Sequence, residues 1–150
     1  MKTFVLDTNV LLGHLKGEKV IMDTFEDLGL NLTDVNIIIS IVVFAEMKSL
    51  GKQRKWSSKK YENVNSWLRK FLIIPLESED LLEIYAEIDA YSQGKLENKP
   101  LPFGLSSRNM GKNDLWIAAT AHLLEATLIT TDGDFDHLEN VYFDLVKIKV

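Results

Sequence analysis

Cysteine is absent from the sequence, which excludes disulfide bonds, and no other feature of the sequence indicates a secreted protein. The longest apolar run, Ile37–Ala45, is far shorter than the ~20 residues that a membrane-spanning helix needs. The apolar start of the chain is interrupted by Asp7 and Asn9, and no small-residue cleavage site follows. We therefore expect a protein without a membrane segment, in the cytoplasm.

Positive charge is scarce overall, but it is concentrated in one place. The net charge of -5 argues against a surface that binds nucleic acid everywhere. Residues 48–60 nevertheless carry six of the seventeen basic residues and no acidic one. This segment predicts a local positive surface, and the ordinary alternative is a solvated helix and loop.

Short strand-like runs alternate with helical patterns along the chain, which predicts a single α/β domain over residues 1–150. Runs rich in Ile and Val indicate strands buried on both faces, as in a parallel sheet covered by helices. We predict helices after Asp7, after the second strand through about Gly51, from Ser57 or Ser58, from Ser78, and from Lys112 or Asn113 to about Glu125. The predicted strands occupy residues 2–6, 36–40, 71–76, 127–131 and 142–148.

The connection Ser92–Met110 shows no periodicity and contains two prolines and two glycines. A connection of this length is usually functional or mobile.

Four acidic residues stand at positions where a carboxylate is unexpected. Asp7 and Asp132 directly follow predicted strands, and the carboxyl ends of parallel strands meet at one edge of a sheet. Glu46 falls on the apolar stripe of its helix, and Asp114 begins the inward face of another. Each has an ordinary explanation: a turn for Asp7 and Asp132, a solvent-reaching side chain for Glu46, and the helix dipole for Asp114.

The four together are hard to explain without a cation. Two carboxylates about 5 Å apart repel by roughly 3 kcal/mol at an effective dielectric constant near 20. Oxygen ligands of this kind suit Mg²⁺ or Mn²⁺. The run Asp132–Asp136 resembles the opening of a calcium loop, but His137 and Phe143 stand where that loop needs glycine and glutamate. Zinc is disfavoured, because the three histidines are scattered: His14, His122 and His137.

Four motifs, in this order, resemble those of the PIN domain family, and more narrowly the VapC-type ribonuclease toxins of toxin–antitoxin pairs. They are FVLDTNVLL at 4–12, Glu46 within VVFAEM, GKNDLWIAATA at 111–121 and LITTDGDF at 128–135. The third motif is the most specific of the four.

The resemblance implies a three-layer α/β/α fold with a parallel sheet of about five strands, and Mg²⁺- or Mn²⁺-dependent endonucleolytic cleavage of RNA. It also implies a homodimer and a cognate antitoxin protein that covers the site. By motif, the catalytic and metal-binding residues are Asp7, Glu46, Asp114 and Asp132, with Asn9 and Thr130 as polar supports.

The residues themselves suggest further roles around this site. Asp134 is placed to assist through a water, and Asp136 to act as a first-turn acid of a short helix. Lys52, Arg54 and Lys55 are candidates for contact with RNA.

Three other functions are compatible with parts of the sequence. Asp132 and Asp134 imitate the D-x-D of a metal-dependent phosphatase of the HAD type, although that motif normally follows the first strand of its fold. A non-catalytic PIN-like module that binds RNA or protein is a second alternative. A PIN nuclease of RNA maturation, without an antitoxin, is the third.

Overall fold

A five-stranded, all-parallel sheet forms the centre of the computed structural model, which describes residues 1–150. The spatial order of the strands is β3-β2-β1-β4-β5, so the first strand lies in the middle. The strands are β1 (Lys2–Leu6), β2 (Val35–Ser40), β3 (Leu72–Ile74), β4 (Thr127–Thr130) and β5 (Leu145–Lys147).

Six α-helices and one 3₁₀-helix connect and cover these strands, which confirms the predicted three-layer α/β/α class. No helix is both long and apolar enough to cross a membrane. The α-helices are α1 (Thr8–Leu15), α2 (Lys19–Asp27), α3 (Ile41–Gln53), α4 (Ser58–Leu68), α5 (Glu79–Ser92) and α6 (Lys112–Leu123), and the 3₁₀-helix is Gly133–Leu138.

The central strands are apolar because both of their faces are covered. Val5, Leu6, Ile39, Leu128 and Ile129 have no exposed side-chain surface. They belong to a core of 31 buried hydrophobic residues that also takes in the inner faces of the helices. Strand β1 pairs with β2 on one side and β4 on the other, so the ends of these three strands are held in register.

Helix starts follow the predicted capping residues. The Ser57 hydroxyl accepts a hydrogen bond from the amide of Lys60, and the Ser78 hydroxyl accepts one from Leu81. Such caps satisfy amides that have no partner within the helix.

The two edge strands are shorter than predicted. Strand β3 covers only Leu72–Ile74, and β5 only Leu145–Lys147. The amide of Tyr142 bonds to the carbonyl of Leu138 instead of joining the sheet. The apolar character of Tyr142 and Phe143 therefore reflects burial beside the 3₁₀-helix, which periodicity alone does not distinguish from a strand.

Candidate active site

Strands β1 and β4 deliver the first two carboxylates to the same edge of the sheet. Asp7 directly follows β1, and Asp132 lies two residues beyond the end of β4, the neighbouring strand. Thr130 links them, since its hydroxyl donates to Asp7 Oδ2 at 2.7 Å and accepts from the backbone amide of Asp132 at 3.0 Å. The structure thus places Thr130, predicted as a polar support, between the two acids.

The Asp7 carboxylate is the most enclosed of the group, with 5% of the residue exposed. Its second oxygen accepts the amide of Thr8 at 2.7 Å, at the start of α1. Burial raises the pKa of Asp7, the bonds from Thr130 and Thr8 oppose that rise, and the charges of Asp132 and Asp134 add to it. Both oxygens of Asp7 are therefore already engaged with protein donors.

The turn after β4 brings a further acid into the group. The Asp132 side chain caps the 3₁₀-helix by accepting the amide of Asp134 at 2.9 Å. Phe135 and Leu138, fully buried, fix this turn against the core. Asp134, predicted as an assisting residue, consequently lies beside Asp132.

Three carboxylates come close enough to share one cation. One oxygen each of Asp114, Asp132 and Asp134 lies within 4.8 Å of the other two. Asp114 stands in the first turn of α6 and is half-buried. Burial first, and then the charges of the neighbouring acids, raise its pKa to about 7. The acids that do so are Asp7, Asp132, Asp134 and Glu46.

Glu46 lies half-buried on α3, next to Asp7 and outside the group of three. Burial raises its pKa, the charge of Asp7 raises it further, and Thr8 and Asn113 lower it. The Thr8 hydroxyl is buried and completes no hydrogen bond of ordinary geometry. Sequence reasoning missed Thr8 and Asn113, whose only signal is that each is adjacent in the chain to a predicted acid.

The remaining predicted residues are exposed and form no side-chain hydrogen bond or salt bridge with the acidic group. Asn9 is exposed on the first turn of α1. Lys52, Arg54 and Lys55 are exposed at the far end of α3, beyond Glu46.

Asp136 does not belong to the acidic group. It is exposed, and its carboxylate accepts a hydrogen bond at 2.7 Å from Lys147 of β5. The position of Asp136 at the start of the 3₁₀-helix agrees with the first-turn role predicted for it. The sequence did not reveal its basic partner.

No basic side chain neutralises the acidic group. The structure contains three salt bridges, Lys19–Asp23, Lys99–Glu87 and Lys147–Asp136, and none involves Asp7, Glu46, Asp114, Asp132 or Asp134. A hard divalent cation fits this all-oxygen set. Ligand oxygens at 2.0–2.1 Å from Mg²⁺ lie at most about 4.2 Å apart, so Asp114, Asp132 and Asp134 need only a small closing movement.

Comparisons with known proteins agree with this geometry. A model of the PIN domain family matches residues 4–141. The chain belongs to the PIN domain family. This confirms the resemblance drawn from the four motifs and excludes the HAD-type phosphatase. No curated protein sequence matches the chain significantly.

Several solved structures share the fold over nearly the full length. The structure of VapBC2 from Rickettsia felis bound to a DNA fragment from their promoter has a TM-score of 0.70 and 26% identity, covering 98% of this chain and 99% of that one. VapBC-1 from nontypeable Haemophilus influenzae has a TM-score of 0.70 and 22% identity, with 97% of each chain covered. VapBC-5 of Mycobacterium tuberculosis, a member of the VapBC family of toxin-antitoxin systems, has a TM-score of 0.62 and 22% identity, with 100% of each chain covered.

The raised pKa of Asp114 predicts a pH dependence of stability in the metal-free PIN domain. Between the unperturbed value of 3.8 and about 7, the folded protein holds a proton on Asp114 that the unfolded chain has released. The free energy of unfolding should therefore fall as the pH rises through this window. Urea melts in EDTA at about pH 5 and pH 8 measure it.

The matched variants for this test are Asp114→Asn and Asp136→Asn. Asp114→Asn should reduce the pH dependence of the free energy of unfolding. Asp136→Asn, which lies outside the acidic group, should not. A residual dependence of the same sign is expected from Asp7 and Glu46, whose pKa values are also raised. An unchanged dependence in Asp114→Asn would contradict the assignment.

The three aspartates of the turn should differ in their effect on Mn²⁺ binding. Asp132→Asn should abolish binding and raise the metal-free melting temperature, because asparagine keeps the cap and removes the repulsion. Asp134→Asn should weaken binding partially. Asp136→Asn should leave it intact at a cost of about 0.2–1 kcal/mol in stability, from the exposed ion pair with Lys147. Calorimetric Mn²⁺ titrations and melts in EDTA test this order, and a loss of Mn²⁺ binding in Asp136→Asn alone would refute it.

Proposed function

We propose that this protein is an Mg²⁺- or Mn²⁺-dependent endoribonuclease that hydrolyses RNA phosphodiester bonds. The observation that carries the proposal is the acidic group: Asp7, Glu46, Asp114, Asp132 and Asp134 gather at one sheet edge without a basic partner. Membership of the PIN family supports the choice, since PIN nucleases generally use divalent metals.

The side chains have separable tasks in this proposal. Asp114, Asp132 and Asp134 hold the cation, which when bound polarises the phosphoryl group and lowers the pKa of a bound water. Asp7, held by Thr130 and Thr8, contributes fixed negative charge next to them and is available as a further ligand. Glu46, whose pKa is raised, orients the attacking water and accepts its proton.

A basic and aromatic surface on α3 and α4 supplies the contact with RNA. Lys48 and Lys52 stand over the ring of Tyr61, with the Lys52 nitrogen 4.8 Å from its centroid, and Lys60 stands over Trp56. Lysines bind phosphates, and aromatic rings such as those of Tyr61 and Trp56, which are half-buried, stack with unpaired bases, so the surface suits a single strand. Arg54 and Lys55, exposed beside it, extend the positive charge.

We propose further that the protein is the toxin of a toxin–antitoxin pair. The support is that VapBC-5, of similar fold over the whole chain, belongs to such a system. The partners would be a cognate antitoxin protein that covers the acidic group and a second copy of this chain in a homodimer. The substrate is RNA, which places the activity in the cytoplasm.

Two narrower alternatives keep the PIN fold. A nuclease of RNA maturation would cut RNA without an antitoxin, and the discovery of an antitoxin gene beside the gene for this protein would argue against it. A non-catalytic module would bind RNA without cutting it, but the acidic group has no evident purpose in such a module.

Asp114→Asn should abolish cleavage of RNA while leaving the fold intact. Asparagine has the shape of aspartate but not the charge that holds the cation. Incubation of purified wild-type and variant proteins with total RNA, with and without Mg²⁺, followed by sequencing of the new ends, measures the effect. Circular dichroism and melting temperature provide the folding control. Full cleavage by Asp114→Asn, or by the wild type in excess EDTA, would overturn the proposed function.

Replacement of Lys52, Arg54 and Lys55 by alanine should weaken RNA binding and flatten its salt dependence. The slope of log affinity against log salt should fall by roughly 0.7 for each lost phosphate contact with a single strand. Replacement of the exposed Lys2, Lys16 and Lys149 removes the same charge elsewhere on the surface and should leave the slope nearly unchanged. Equal slopes for the two triple variants would rule out this surface.

A further inference from the structure

A polar pocket lies where α5 ends and the long connection to α6 begins. Its volume is about 240 Å³, and no hydrophobic residue lines it. Every side chain that lines the pocket carries a hydrogen-bond donor, and none is a carboxylate. We call this the donor pocket; it is lined by Gln93, Lys95, Ser107, Arg108 and Asn109.

The charged side chains of Lys95 and Arg108 are not required to satisfy the last carbonyls of α5. Basic residues often satisfy the last carbonyls of a helix. Here backbone amides already do so, since those of Gln93, Gly94 and Lys95 bond to the carbonyls of Asp89, Tyr91 and Ala90. The amide of Arg108 bonds to the carbonyl of Ser92 at 2.8 Å.

The side-chain donors of the pocket are largely free. The Gln93 side chain donates to Asp89 at 2.9 Å, but the side chains of Lys95, Ser107, Arg108 and Asn109 donate to no protein atom. Neither cation belongs to any of the three salt bridges. Two unpaired cations side by side repel each other, and an anion between them removes that repulsion.

The backbone holds the donor pocket in one shape. Gly94 has a φ of 72°, in the left-handed region of backbone conformation, which glycine adopts without strain. A side chain at this position would lie 3.7 Å from Cβ of Ser107 and 3.4 Å from Leu101. The two ends of the connection, which carry Lys95 and Arg108, therefore pack closely together.

Ser92 and His137 connect the donor pocket to the acidic turn. The Ser92 hydroxyl lies 2.7 Å from Nε2 of the buried His137, three residues after Asp134. The carbonyl of Ser92 holds Arg108. Burial and, to a smaller extent, the nearby Arg108 charge lower the pKa of His137 to about 4, although the charge of Asp136 opposes the change. The ring is therefore neutral, and the pocket sits next to the turn that carries Asp132 and Asp134.

We infer that the donor pocket binds a backbone phosphate of the RNA, next to the bond that is cut. This inference rests on the proposed function. The pocket is separate from the acidic group, so the phosphate it holds is a neighbouring one. Arg108 offers the paired donors that suit phosphate oxygens, and Lys95 adds a point charge. Such a contact positions the strand and carries no base specificity.

The test compares Lys95→Ala, Arg108→Gln and the double variant. Each substitution is made in two backgrounds. The wild-type background is used to measure cleavage, and the Asp114→Asn background, with Mg²⁺ present, is used to measure binding. The binding probe is a fluorescein-labelled single-stranded oligoribonucleotide of about 12 nucleotides, a length within the range of single-strand sites. Each single variant should weaken binding about tenfold and lower the salt slope by roughly 0.7. In the cleaving proteins, KM should rise while kcat is unchanged.

Lys99→Ala provides the matched control, because Lys99 lies on the same connection but contacts Glu87 and the Tyr142 ring instead of the pocket. It should leave binding and KM unchanged. Affinity, salt slope and KM equal to those of the control would overturn the inference, as would a loss in kcat alone. If the wild type cleaves no RNA but the binding differences are found, the proposed function fails and the phosphate site stands.

Discussion

Repulsion between carboxylates is the constraint on which the organisation of this protein depends. Asp7, Glu46, Asp114, Asp132 and Asp134 lie together, and no lysine or arginine forms an ion pair with any of them. The repulsion and the loss of hydration appear as raised pKa values in Asp7, Glu46 and Asp114. A protein with a total stability of about 5–15 kcal/mol tolerates such a cost only where function requires it.

The parallel sheet makes this arrangement possible because its strand ends are fixed by the core. Strands β1 and β4 are neighbours, so the residues that follow them meet at one edge. Thr130 then bonds to Asp7 Oδ2 and to the amide of Asp132, and it holds the two acids against their repulsion. The positions of Asp7 and Asp132 are consequently set by hydrogen bonds within the protein, which would reduce the reorganisation that the proposed cation binding requires.

The proposed binding of RNA, an anionic polymer, by an acidic protein requires positive charge in defined places. In the proposed function two places supply it: the lysines over Tyr61 and Trp56 on α3 and α4, and the donor pocket at the end of α5. The net charge of -5 keeps the remaining surface unattractive to RNA. The strand would thus be held on both sides of the cation, by contacts that do not depend on base identity.

The family, the order of the strands along the chain and the five clustered acids could be predicted from the sequence by itself, with Asp134 in an assisting role. Those features are local: apolar periodicity, capping serines, and acids directly after strands or on an inward helical face. Helix α2 was not predicted as a helix separate from α1. The edge strands were predicted too long, since burial beside the 3₁₀-helix and pairing within the sheet produce the same apolar run.

Only the tertiary structure decided which oxygens face one another. It engaged both oxygens of Asp7 with Thr130 and Thr8, and it brought Asp134 into the group of three that can share a cation. It also joined Ser92 to His137 across 45 positions of the chain. Contacts of this kind depend on the relative placement of distant elements, which the packing of the whole core sets and no local pattern encodes.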